Sequence, residues 1–178
     1  MKYLIYLLAI IILLGLNIGL FNNLQIRGQM PNLLFLLALY FSLDKKDFDF
    51  FFISLVSGLF LDFYSAGFFG AFAMAFLLVS LCVHIFVSNV LVFELNWKSL
   101  SLALAVALAM LDFLVWFFGL LAFKFSWTSQ YSGFRIFLSA FPAGLLYNWL
   151  LLYPMYWFSN FLRRLVDNLS LHRRGIVR

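Results

Sequence analysis

A chain of 178 residues that is 66% apolar and 21% aromatic but only 11% charged cannot clothe a water-soluble globule, which carries roughly 25% charged residues. Its apolar stretches are continuous and do not alternate at every second residue, which excludes a transmembrane β-barrel. The net charge of +5 sits mostly in short loops and a basic tail, where membrane topology accounts for it without a nucleic-acid partner. The mean hydropathy of +1.04 leaves an all-α integral membrane protein as the fold class, with membrane lipid as the solvent for most of its surface.

Six spans are expected, at Tyr3–Phe21, Pro31–Leu43, Phe48–Ala66, Phe68–Val90, Ser99–Phe123 and Ile136–Phe161. The first follows a single lysine and is not closed by a small-residue cleavage site, so it reads as an uncleaved helix. At about 1.5 Å per residue it reaches ~28 Å, enough to span. Its Gly15-x-x-x-Gly19 spacing, with Asn17 beside it as an interhelical hydrogen bonder, suits close helix contact within the bundle. The second reaches only about 20 Å, short of a ~30 Å hydrocarbon core. The third carries Ser54 and Gly58 on one small-residue face, and Asp62 near its end. The fourth holds the single cysteine, Cys82, and His84, both read as packing residues. Small-residue stripes on the fifth run through Ser101, Ala105 and Ala109, and through Ala103 and Ala107, with Asp112 near its middle. The sixth contains Asn148 and two kink-inducing prolines, Pro142 and Pro154.

Residues 162–178 form a basic tail. Phe161, Leu165 and Leu169 recur at helical spacing with arginines on other faces, which suits an amphipathic helix on the anionic inner leaflet. No loop is long enough to fold alone, so residues 1–178 read as one transmembrane domain.

With six spans both termini share one side. Lys2, Lys45, Lys46, Lys98, Arg163, Arg164, Arg173, Arg174 and Arg178 fall there, against Arg27, Lys124 and Arg135 opposite. The positive-inside rule makes the first side cytoplasmic, an N-in/C-in arrangement in the bacterial inner membrane. An N-out arrangement with five spans and a re-entrant second segment exchanges Lys2 for Arg27 and gives the same bias. Charge alone therefore does not choose between the two.

An aspartate at a helix centre costs roughly 2.5–3.5 kcal/mol on insertion scales, so Asp62 and Asp112 are expected to face protein or a cavity. With no lysine or arginine at their depth, each is either hydrogen-bonded in neutral form or solvated. Together with Asn148 they read as an intramembrane polar clasp or a pocket, with an end-of-helix role also open to Asp62. No catalytic, cofactor-binding or metal-ligating set is found: His84 and His172 lie far apart in sequence, and no nucleophile has a base beside it. A non-enzymatic protein without a cofactor is expected. In the outer loop, Trp127 and Tyr131 are candidate contacts for a periplasmic partner, or interfacial anchors.

Two stretches resemble the rod shape-determining MreD family. One is the leucine-rich run from Pro31 and Asn32 to Leu43, a short charged loop, and then Gly58-Leu-Phe-Leu-Asp62 with Gly70 following. The family usually has Asp where this chain has Asn32. The other is the ending from Asn148 and Pro154 through Arg163 and Arg164. Length and the six-span hydropathy agree as well. The resemblance implies a non-enzymatic scaffold of the cell-wall elongation complex that binds MreC and helps couple the MreB cytoskeleton to the peptidoglycan synthases. It also allows an oligomer of the MreC–MreD complex. It further implies a fold distantly like the substrate-binding components of energy-coupling-factor transporters. The alternative function is therefore that of a small-molecule, vitamin-type substrate-binding component of a transporter.

Overall fold

The computed structural model describes residues 2–21, 25, 31–44, 48–65, 68–90, 97–125, 127 and 134–175; at 89–90, 134–140 and 170–175 it describes the backbone alone. Among these residues there are seven helices and no strand: α1 (Lys2–Gly19), α2 (Leu33–Ser42), α3 (Asp49–Tyr64), α4 (Ala71–Val90), α5 (Trp97–Lys124), α6 (Phe134–Leu150) and α7 (Leu152–Gly175). Three are long and apolar enough to cross a membrane: α1, α4 and α5.

The expected sixth span is two helices. Pro154 has no N–H to offer the Leu150 carbonyl, and the helix breaks at Leu151. The chain keeps its course across the break, since Leu151 N–H donates to the Tyr147 carbonyl and Met155 N–H to that of Leu151. The basic tail begins as a continuation of α7. Leu162 packs inward, whereas Phe161 and Leu169 of the expected apolar stripe are exposed on the outside of the bundle.

At the centre lies α2. It is apolar all round, and all ten of its residues are at most 4% exposed, as a helix without a polar face must be. It is sheathed by α1, α3, α4 and α7, while α5 packs on α4 and α6. At about 1.5 Å per residue it is only ~15 Å long, too short to cross a ~30 Å hydrocarbon core, and its buried terminal backbone groups call for partners inside the protein.

At the N-terminus the Asn32 side chain accepts from Phe35 N–H, and Asn32 N–H donates to Asn148 Oδ1 at 2.9 Å. At the C-terminus Arg163 Nη2 donates to the Tyr40 carbonyl at 2.8 Å, and its Nη1 to Asp44 at 2.8 Å. The Arg163 guanidinium also lies over the Phe41 ring. His84 Nδ1 stands 3.3 Å from the Ser42 carbonyl. That oxygen only accepts, so the bond requires the tautomer protonated on Nδ1. The His84 ring stacks on Phe50.

A second ion pair closes the same end. Asp49, at the start of α3, accepts from Lys2 Nζ at 2.6 Å and from the Tyr6 hydroxyl at 2.9 Å. The start of α1, the end of α2, the start of α3 and the middle of α7 therefore share one end of the bundle. The start of α2, the α3–α4 turn and Trp127 share the other, where Trp127 stacks on Phe68. Successive helices α1 to α5 alternate in direction.

Large apolar side chains point outward along the length of the bundle, among them Leu4, Leu8 and Ile12 on α1, Met74 and Ile85 on α4, and Leu102 and Val106 on α5. An apolar exterior of this extent belongs in lipid. Gly15 and Gly19 lie on that exterior, with nothing within 4 Å of a side chain built at either. The expectation that they pack within the bundle is therefore overturned: Asn17 is the residue of that segment that turns inward.

Replacing Arg163 with alanine removes two charge-assisted bonds and uncovers the end of α2. It is expected to cost about 2–3 kcal/mol in detergent-titrated unfolding. Lys2→Ala, which leaves the Tyr6 bond to Asp49 in place, is expected to cost about 1 kcal/mol or less.

Candidate functional site

The segment Gly58-Leu-Phe-Leu-Asp62 forms a joint between α3 and α4. Gly58 lies against the first turn of α4. A Cβ built on it would stand 2.4 Å from Ala73 Cα, 2.7 Å from Ala73 N and 2.8 Å from the Phe72 carbonyl oxygen. All three are backbone atoms, so only glycine allows this approach.

One turn on, Asp62 comes over the start of α4. Its Oδ1 accepts from Phe72 N–H and its Oδ2 from Ala73 N–H, both at 2.9 Å. A carboxylate here satisfies two of the orphan donors of the helix start and lies at the positive end of its dipole. Gly70 supplies the turn into α4 with φ = 96°, a conformation that costs a residue with a Cβ roughly 1–2 kcal/mol. Below the joint, Ser54 donates to Ser80 across the same pair of helices at 2.7 Å.

Pro31 and Asn32 serve a second joint, the start of α2 against α6. Asn148, 3% exposed, is fully used there: Oδ1 accepts from Asn32 N–H, and Nδ2 donates to the Gly144 carbonyl. Asparagine caps a helix as well as aspartate does, and the Asn32 side chain performs that task here.

A cavity of about 290 Å³ lies beside this second joint. Asn17, Asn32, Asp112 and Asn148 are its polar lining, and Phe72, Leu111, Phe141 and Leu145 are among its apolar walls. The structure thus brings Asp112 and Asn148 to one cavity but does not bring Asp62 into it. Asp62 is spent on α4, while its neighbour Leu61 lines the space. Asn17, 4% exposed, completes the polar set, and its Oδ1 has no hydrogen-bond partner.

Sequence reasoning singled out Asn17 as an interhelical hydrogen bonder, but not as a neighbour of Asp112; nothing in the spacing between α1 and α5 encodes that proximity. Asp49, inside the expected third span, is not among the residues the sequence singles out. The aspartate's position on the first turn of α3, opposite a lysine and a tyrosine on α1, was the available signal.

Trp127 is exposed and stacks on Phe68 and Phe125; Tyr131 lies outside the described residues. Among the described residues no group of three or more His, Cys, Asp or Glu side chains is placed to hold a metal ion. No family model, no curated protein and no solved structure matches this chain.

The two aspartates are expected to respond oppositely to amidation. Asp62→Asn leaves one α4 donor facing an amide N–H and should cost about 1–2 kcal/mol. Asp112→Asn removes a carboxyl without a partner and should leave stability within about 0.5 kcal/mol or raise it. Gly58→Ala, forced against backbone, should cost about 3 kcal/mol. Unfolding in a mild-to-harsh detergent series measures all three.

Proposed function

We propose that the chain is a six-span, N-in/C-in inner-membrane scaffold of the MreD type. In this reading it binds the membrane-anchored protein MreC and, through it, links the MreB cytoskeleton to the peptidoglycan synthases. The observation that carries the reading is that the residues of the resemblance are used as sets. Gly58, Asp62 and Gly70 serve the single joint between α3 and α4, and Pro31 and Asn32 sit at the one between α2 and α6.

The Lys2–Asp49 pair supports six spans. It holds the start of α1 beside the start of α3, whereas a five-span chain with a re-entrant second segment puts those two starts on opposite sides. The basic residues of that end then lie toward the cytoplasm.

A scaffold in lipid works through its outer helix faces. The outward Gly15–Gly19 face of α1 offers the close backbone approach that a partner's single transmembrane helix uses. The cavity beside Asp112 favours the second reading, a substrate-binding component of a transporter, and keeps it in play.

A mild-detergent pull-down of the tagged chain from its native membrane separates the two. Recovery of MreC-like and peptidoglycan-synthase partners is the expected result. Recovery of a transport ATPase module without wall-synthesis proteins overturns the scaffold reading. Gly15→Leu with Gly19→Leu, which meets open space in the isolated fold, is expected to lower partner recovery at least tenfold while leaving the melting temperature unchanged. Undiminished recovery removes the α1 face from the interface.

A further inference from the structure

The cavity beside α5 holds polar groups that the fold does not consume. Asp112 lies mid-way along a 28-residue apolar helix and lines the cavity without a hydrogen bond or ion pair to any described residue. Asn17 lines the same space, nine-tenths buried, with its Oδ1 unpartnered. Asn32 and Asn148 differ, for they are bonded to one another. An intramembrane carboxyl and carboxamide without partners are costly, and neither supports a helix end as Asp62 does.

The charge balance of the lining narrows the ligand. Among the described residues one carboxyl group and no lysine or arginine line the space, so it repels anions and suits a cation or a donor. Phe72 and Phe141 add ring faces, which attract ammonium groups. Leu111 and Leu145 provide an apolar wall. An apolar cavity of about 150 Å³ holds benzene, so one of about 290 Å³ accommodates a molecule of roughly ten to twelve heavy atoms.

We propose that this cavity binds a small amphiphilic amine, with its ammonium hydrogen-bonded to Asp112 and its apolar body against Phe72, Phe141 and Leu145. The site stands apart from the outer α1 face on which the scaffold reading relies, so either can fail without the other. An ammonium reaches the cavity as a free amine or as the ethanolamine headgroup of a lipid.

The test uses the purified full chain in nanodiscs, one set of phosphatidylglycerol alone and one with added phosphatidylethanolamine. Thermal unfolding is followed by tryptophan fluorescence, and the probes are 2-phenylethylamine, 2-phenylethanol and phenylacetate. In phosphatidylglycerol the amine is expected to raise the melting temperature saturably, with a half-saturating concentration at least tenfold below that of the alcohol, and phenylacetate to have no effect. Asp112→Asn should raise that concentration tenfold or more. Val115→Phe, which fills the cavity and leaves the carboxyl in place, should abolish the response and keeps the test open if the first variant does not fold. A rise on adding phosphatidylethanolamine that pre-empts the response to free amine assigns the headgroup as the source; an undiminished response assigns the free amine. Equal responses to amine and alcohol, no response to amine in either membrane, or an unaltered amine response in the variants overturns the proposal.

Discussion

A helix too short to cross the membrane sits at the centre of this protein, and the other elements are arranged around closing its ends. Water would satisfy the terminal amides and carbonyls of α2 in a soluble protein. Here all ten residues of the helix are buried, and a buried backbone group left without a partner is costly. Asn32 and Asn148 close one end, and Arg163, with His84 above Ser42, closes the other. The arginine is well suited to this place because its fork serves a carbonyl and the Asp44 carboxylate together. Once the ends are closed, the flanks of α2 can be purely apolar, and α1, α3, α4 and α7 pack on them.

The α3–α4 joint applies the same logic to a different problem. Two helices meet closely enough that a backbone lies where a side chain would be, and the helix start so exposed is covered by the carboxylate one turn along. Glycine makes the approach possible, and aspartate makes it stable. Asp62 is therefore buried without lying free: its partners are the first amides of a helix, not a lysine.

Much of this was legible in the sequence, and the limits have physical causes. Helix positions follow from continuous apolar runs, and the helices fall within a few residues of the expected spans except where Pro154 divides the last. The shortness of the second segment was visible, but its central burial was not, because a run that is apolar on all sides looks the same facing lipid or protein. The Gly15-x-x-x-Gly19 spacing failed as a guide for that reason: it marks a face fit for close contact without saying whether the contact is internal. Asp62 and Asp112 both read as parts of a clasp or pocket, with an end-of-helix role open to Asp62 alone. What separates them is a tertiary fact, the proximity of α4's first amides to one and of a cavity to the other.

The end closures of α2 join residues about two-thirds of the chain apart, with sequence separations of 116 to Asn148 and 123 to Arg163. During synthesis, then, the central helix enters the membrane long before the groups that cap it exist. Until α6 and α7 arrive, its ends must be covered by the insertion machinery, by lipid headgroups drawn inward or by water. A chain stopped before α6 therefore lacks the Asn148 and Arg163 partners of the two ends of α2.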